Sequence, residues 1–278
     1  MSRLLVYQSL WATEARIPGQ PERSIAERFD RVAEAGFDGL SIDLGAIDLE
    51  QAREITPHFR RTGLRGLVTA FPQSIEGIRP AIALAKSIDA PFLIVVGQVM
   101  PLTVAGSIPV IRAWLAIAEQ EGIALQFETH RQSITNDLFT TLQLLDDIPE
   151  LRLSADLSHY VVDRELELPV PRDMQARFQR VLERADSFQG RVATGQHIQI
   201  PLDFPQHRPW LAQFTAWWTA GFASWRQRHG AAEAPVFLCE LGPTEYAITD
   251  RHGLELSDRW EEAQQLAGIA RDCWAAAA

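Results

Sequence analysis

The chain has 278 residues, 46% of them hydrophobic and 22% charged, and a formal net charge of −10. That length supports a substantial core, and the acidic surplus argues against a protein that tracks a nucleic-acid phosphate backbone. Cys239 and Cys273 are too few for a disulfide framework, the N-terminal MSRLLVYQSLW is too short an apolar run for a signal peptide, and no run of about twenty apolar residues spans a membrane, so a reducing cytoplasm is the expected setting.

In chain order, short apolar strands alternate with helix-length segments. Leu4–Tyr7 reads as the first strand, and the Pro21–Ala35 helix that follows stops at Gly36. Gly39–Leu44 is the second strand, with Asp43 near its end, and Leu49–Arg61 the second helix. Leu64–Ala70, the helix Ile75–Ile88 with Pro80 as a kink or first-turn residue, and Phe92–Val96 follow. Ala105–Glu121 is amphipathic, Ile123–Glu128 is the fifth strand, and Asn136 is the expected N-cap of a helix running to Asp147. Leu151–Asp156 is the sixth strand, Pro171–Ala185 a helix and Ser187–Val192 the seventh strand. A Trp-rich helix over Pro209–His229, the strand Val236–Glu240 and the helix Ser257–Trp274 complete the chain. Eight strand–helix pairs predict an α/β fold, a (β/α)8 TIM barrel spanning residues 1–278 as one domain. A doubly wound sheet is the alternative, weakened because no G-x-G-x-x-G follows the first strand.

Three strands end in acids. In Ile123–Glu128, the residues Ile123, Leu125 and Phe127 form one face, and Ala124, Gln126 and Glu128 form the face toward the barrel axis. The same parity turns Glu240 inward and Cys239 outward in the last strand, and Asp156 terminates the sixth. Three buried carboxylates left unpaired would repel one another and be costly to desolvate. A divalent cation relieves that cost, and hard oxygen ligands suit Mg²⁺ or Mn²⁺. A fourth ligand is expected from the seventh strand, where Gln189 in SFQGRV competes with His197 and Gln199 in GQHIQI. The short gap after the preceding helix favours Gln189 and makes the second run a loop over the rim, although imidazole is the better generic ligand.

These residues resemble the xylose-isomerase-like TIM-barrel superfamily, the sugar isomerases and epimerases. The resemblance covers the whole chain and is strongest in its second half, in Phe127-Glu128-Thr129-His130-Arg131, Ala155-Asp156-Leu157-Ser158-His159 and Glu240-Leu241-Gly242-Pro243. It implies one divalent metal ion (Mn, Mg, Co or Zn) held by Glu, Asp, His and Glu of strands five to eight. Glu128, Asp156 and Glu240 match that pattern, and Gln189 stands where the family tends to carry its histidine, as also happens in hydroxypyruvate isomerases. The Asp156-x-x-His159 step is similar to that of the ketose 3-epimerases. The implied substrate is a small carbohydrate, and family relatives are commonly dimers or tetramers, which implies a homo-oligomer.

The implied chemistry is proton abstraction between a carbonyl and an adjacent hydroxyl, giving a cis-enediolate. Glu128 and Glu240 would be the acid–base pair, with His159 on a substrate oxygen. His130, Arg131, Arg191 and His197 would hold other substrate groups, and Trp11 and Phe71 would form apolar walls. The runner-up is a dehydratase or lyase on a keto-sugar or keto-inositol at the same site. An abasic-site endonuclease fits poorly, with seven histidines and a net charge of −10, and a non-catalytic sugar-binding barrel has only Gln189 in its favour. The tryptophans of the 209–229 helix read as packing or a subunit contact, and Cys239 as inert core.

Overall fold

A computed structural model describes residues 3–230 and 233–278, so the first two residues of the N-terminal run lie outside it. Eight parallel strands close into a barrel in chain order: β1 Leu5–Ser9, β2 Gly39–Asp43, β3 Arg65–Ala70, β4 Phe92–Val95, β5 Ala124–Glu128, β6 Leu153–Ala155, β7 Ala185–Gly190 and β8 Val236–Cys239. Around them run α1 Ile25–Glu34, α2 Leu49–Ile55, α3 Pro57–Thr62, α4 Arg79–Ser87, α5 Val104–Glu121, α6 Leu138–Asp147, α7 Leu157–Asp163, α8 Arg172–Leu182, α9 Arg208–Arg228 and α10 Arg259–Ala276. This is the expected (β/α)8 barrel, and pairing of β1 with β8 excludes the open, doubly wound sheet. Among the described residues, no helix is long and apolar enough to cross a membrane.

Local chemistry sets the helix ends. Ser24 and Glu27 form a capping box at α1, as do Asp48 and Gln51 at α2. The expected helix over 49–61 is two helices, because Pro57 has no N–H to continue the ladder. Pro80 sits in the first turn of α4, where a missing N–H costs nothing. The cap of α6 is Asp137 rather than Asn136: its Oδ1 accepts from the amides of Phe139 at 2.9 Å and Thr140 at 3.1 Å. A carboxylate also suits the positive end of a helix better than a neutral amide. Helix α7, directly after β6, is absent from the sequence reading.

Two apolar layers sandwich the strands. Outward residues such as Val6, Leu40, Phe127 and Cys239 join the helices in the main core. Leu5, Tyr7, Leu67, Phe92, Ile94, Val236 and Leu238 form a separate cluster that fills the N-terminal part of the barrel interior. Toward the C-terminal mouth the buried inward residues become polar: Ser41, Thr69, Gln126, Ser154 and Gln189. The interior therefore grades from a sealed apolar plug to a polar floor beneath the acids. The four tryptophans of α9 pack inward and are at most 9% exposed, with Trp217 stacked on Phe178 at 4.6 Å and Trp218 edge-on to Phe237 at 5.1 Å. They are core, not a surface for a partner.

An irregularity in the sheet helps set the site. Between β6 and β7 the pairing passes from Leu153↔Ala185 to Ser154↔Ser187, skipping Asp186. The skipped Asp186 pairs with Arg228 at 2.5 Å and His229 at 2.9 Å. From there Ala155 pairs with Phe188, and continuing that register sets Asp156 beside Gln189.

Candidate active site

The strand-end acids meet at the C-terminal mouth. Glu128 ends β5, Asp156 follows β6 and Glu240 follows β8; they are 2%, 0% and 4% exposed. One oxygen of each lies within 4.8 Å of the other two. Asp156 both caps a helix and faces the site. Its Oδ1 accepts from the amide of Ser158 at 2.9 Å and its hydroxyl at 2.5 Å, capping α7. Its Oδ2 lies 3.1 Å from Nη1 of Arg191 and 3.5 Å from Nε2 of His159. Thr135 donates its hydroxyl to the Glu128 carbonyl, and Thr129 donates to the Asp156 carbonyl at 2.7 Å. The backbones beneath these two acids are thereby fixed.

Arg191 lies among the acids. Its Nη2 is 3.2 Å from Oε2 of Glu240, and its Nε donates to the Glu240 carbonyl at 3.0 Å. Because Gly190 pairs with Cys239, the next residues of the two strands are neighbours. The guanidinium expected to hold substrate is thus engaged with Asp156 and Glu240, and its outer side meets the ring of Tyr246 at 4.8 Å.

The three strand-seven candidates have separate fates. Gln199 is locked: its Nε2 donates to the Gly242 carbonyl at 2.9 Å, and its Oε1 accepts from the Gly242 amide at 2.7 Å. His197 is exposed on the loop after β7, with Nδ1 3.3 Å from the Thr194 hydroxyl. Gln189 is 1% exposed; its Nε2 donates to Ser154 at 3.4 Å, and its Oε1 has no hydrogen-bond partner.

His130 and His159 pack together with ring centroids 4.1 Å apart and planes tilted by 48°. Nδ1 of His130 contacts the Arg131 carbonyl, so that nitrogen carries the proton and Nε2 is free. Glu128, His130 and His159 form a second group whose ligand atoms lie within 4.8 Å. Arg131 is exposed, over the Tyr246 ring at 5.4 Å. Trp11 meets Tyr246 edge-on at 5.2 Å. Its indole fits because residue 242 is glycine; a Cβ there would lie 2.2 Å from the ring.

Burial dominates the electrostatics. It drives Glu128 well above the usual carboxylate range, with Glu240 and Asp156 adding to the rise. It lifts Glu240 to about 8 against the opposing pull of Arg191, and raises Asp156 despite Arg191 and Ser158. Burial pushes both histidines down, His130 to about 4 and His159 well below its ordinary value with help from His130 and Arg191, so both rings are neutral at pH 7. Burial works against the Arg191 charge, but Asp156 and Glu240 outweigh it.

Glu128, Glu240, His130 and Arg191 open onto a cavity of about 330 Å³ that Trp11, Phe71, Asp43 and Tyr246 also line, whereas Asp156, His159 and Gln189 lie buried beneath it. A larger cavity, about 490 Å³, lies outside the barrel between residues 12–17 and 253–260 and contains none of the strand-end acids. Asp43 and Tyr246 were not singled out as site residues from sequence. The alternation Gly39, Ser41, Asp43 along β2 carries the signal for the first. Tyr246 lies on an irregular loop, where no periodicity could reveal it.

The oxygens fit a hard divalent cation. Glu128 Oε2 and Gln189 Oε1 are buried without hydrogen-bond partners, while Asp156 Oδ2 and Glu240 Oε2 have the ion-pair contacts with Arg191 described above. Three ionised carboxylates against one guanidinium leave a surplus of two negative charges, which one divalent ion cancels.

No family model matches the chain, and no curated protein matches it in sequence. Solved structures match it in fold. A xylose isomerase-like TIM barrel protein from Mycobacterium smegmatis, in complex with magnesium, superposes with a TM-score of 0.62 at 15% identity, over 99% of this chain and 98% of that one. The chain has the xylose-isomerase-like barrel fold. The D-allulose 3-epimerase of Methylomonas sp., in complex with D-allulose, gives 0.59 at 16% identity, over 98% and 96%. A probable 3-DHS dehydratase from Bacillus anthracis gives 0.51 at 15%, over 73% and 78%.

Proposed function

We propose that this protein is a divalent-metal-dependent isomerase or epimerase acting on a keto-sugar or related polyhydroxy carbonyl compound. The observation that carries the reading is the convergence of the buried acids Glu128, Asp156 and Glu240, one oxygen of each within 4.8 Å of the others, with a single buried guanidinium, Arg191, among them. Glu128, Asp156, Glu240 and Gln189 would hold the cation. Bound there, it would act as a Lewis acid on the substrate carbonyl and acidify the neighbouring C–H. The sugar names carried by proteins of like fold, such as D-allulose 3-epimerase, agree with this reading.

The chain's own residues then divide the proton work. Glu128 and Glu240 leave non-adjacent strands and both line the cavity, so a substrate between them presents opposite faces to two carboxyl groups. One removes the proton and leaves an enediolate; the other returns a proton to the opposite face of the same carbon for an epimer, or the first returns it to the neighbouring carbon, with a proton passing from one oxygen to the other, for an isomer. His159, neutral and with Nδ1 unpartnered, is fully buried and does not line the cavity; it would act through His130, whose ring lies 4.1 Å away and does line it. Trp11, Phe71 and Tyr246 exclude water.

The test is solvent-deuterium exchange into a panel of ketoses with Mn²⁺, Mg²⁺, Co²⁺ or Zn²⁺, followed by NMR. Exchange dependent on the metal is the expected result, with a loss of about 10²–10⁴-fold in Glu128→Gln and Glu240→Gln. Absence of exchange with every metal would overturn the proposal. Loss of water from a substrate in place of exchange would assign the lyase branch.

A further inference from the structure

His130 and His159 each keep one ring nitrogen free at the mouth of the barrel. In His130, Nδ1 is held by the Arg131 carbonyl, which leaves the lone pair on Nε2. His159 is 0% exposed. Its Nε2 faces Oδ2 of Asp156 and Nη1 of Arg191, each at 3.5 Å, and its Nδ1 has no hydrogen-bond partner. Asp156 can accept a proton carried on Nε2, and the lone pair then lies on Nδ1, away from the guanidinium. A ring held through one nitrogen by a backbone carbonyl or a carboxylate, with the other nitrogen bare, is how proteins orient a histidine toward a metal.

A third free ligand atom lies close by. Glu128 is 2% exposed, and its Oε2 lacks a hydrogen-bond partner. One ligand atom from each of Glu128, His130 and His159 lies within 4.8 Å of the other two. Among the described residues no cationic side chain makes an ion pair with Glu128, whereas Asp156 and Glu240 both have Arg191. Buried polar atoms left without partners are costly, and a shared cation would satisfy all three. Glu128 and His130 line the cavity, so an ion can enter from the mouth, and a coordination position stays open on that side.

We propose that Glu128, His130 and His159 form a second cation position beside the oxygen site, sharing Glu128 with it, and that its donor set of two imidazole nitrogens and a carboxylate takes Zn²⁺ or Co²⁺ in preference to Mg²⁺. Zn²⁺ accepts three such protein ligands with a fourth position open, whereas Mg²⁺ demands oxygen ligands in near-octahedral order. With the position filled, the two rings hold the ion rather than a substrate oxygen. The inference rests on the functional reading above in taking a first cation to lie at the oxygen site.

Equilibrium dialysis of the full chain, followed by elemental analysis, counts ions without any chemistry. The wild type is expected to hold about two Zn²⁺ or Co²⁺ per chain but about one Mg²⁺. His130→Ala should hold about one Zn²⁺, the second binding at least about tenfold more weakly, and its Co²⁺ form should lose the visible absorption of nitrogen ligation. His130→Phe keeps a ring to pack on His159 and Phe71 without a lone pair, so it guards against a folding defect; it should show the same loss at an unchanged metal-free melting temperature. Glu240→Gln should do the reverse, weakening the other ion and keeping the nitrogen-ligated Co²⁺ spectrum. One ion per chain with every metal, or two Zn²⁺ in both His130 variants as in the wild type, would overturn the second position. Two ions held through these ligands without exchange in any ketose would leave this inference standing and sink the isomerase reading, and metal-dependent exchange with a single ion would do the opposite.

Discussion

At the scale of single residues, Arg191 is the key to how three acids survive together in the barrel. Its guanidinium lies within 3.2 Å of Asp156 and Glu240, and every partner is almost wholly buried. Replacing it by Met keeps the volume and strands two buried carboxylates. The metal-free variant should lose about 3–5 kcal/mol of stability, the usual cost of breaking a buried ion pair by removing one partner. Chemical denaturation measures the loss, and Mn²⁺ should restore part of it, since the cation serves the same oxygens. A variant as stable as the wild type would mean that the acids carry no charge when metal is absent. How far this was legible differs by residue. Strand parity alone aimed Glu128, Asp156 and Glu240 at one another. It also turned Arg191 inward, but which charges it would meet depends on the pairing of β7 with β8 and on the skipped Asp186.

At the scale of elements, loops carry the site and other elements hold the loops. Gln199, in the loop after β7, replaces a backbone partner for Gly242 in the loop after β8. Gln199→Ala leaves a buried amide and carbonyl unpaired, a cost of about 1–3 kcal/mol, and should loosen the backbone on which Trp11 packs. A lower melting temperature with raised amide exchange at Leu241 and Gly242 is the expected result. Farther along the same loop, the Leu202 amide donates to Oε1 of Glu262 on α10 at 2.7 Å. Burial raises this carboxyl to about 7, with the Leu202 hydrogen bond opposing. Its folded value exceeds its ordinary one, so between the two the folded protein binds the proton more tightly. Its contribution to stability is largest below the ordinary carboxylate range and falls as pH rises through about 7. In Glu262→Gln, whose amide oxygen can keep the Leu202 bond, the melting temperature should vary less between pH 5 and 8. An unaltered pH dependence would count against that linkage. The sequence supplied the strands within a few residues because burial imposes period-two alternation. It missed α7 and misplaced the cap of α6, because those ends are fixed by which side chain reaches which amide.

At the scale of the whole molecule, the barrel is a closed apolar plug with a charged mouth, and the mouth is the part that a ligand can stabilise. A cation that binds only the folded protein adds about 2.7 kcal/mol at a free concentration one hundred times its dissociation constant. Mn²⁺ or Mg²⁺ should therefore raise the melting temperature by several degrees, and chelation should reverse the gain. The rise should shrink in Asp156→Asn, which removes a charge while leaving an oxygen to cap α7. No response to any divalent ion would argue that the acids serve substrate directly.

Alternation of strands and helices, strand parity and the acids at three strand ends are written in local sequence, because burial on one side of a strand is a local constraint. The sequence by itself determined the (β/α)8 architecture and which carboxylates turn inward. It favoured Gln189 over His197 and Gln199 only through the short gap before Ser187. Tertiary structure separates the three: both ends of the Gln199 amide are used on Gly242, His197 is exposed on its loop, and the Gln189 oxygen is buried without a hydrogen-bond partner. It also brought in Asp43 and Tyr246 and gave Arg191 its acidic partners, since neighbours across a closed sheet depend on register and closure, and neither is a property of any one segment.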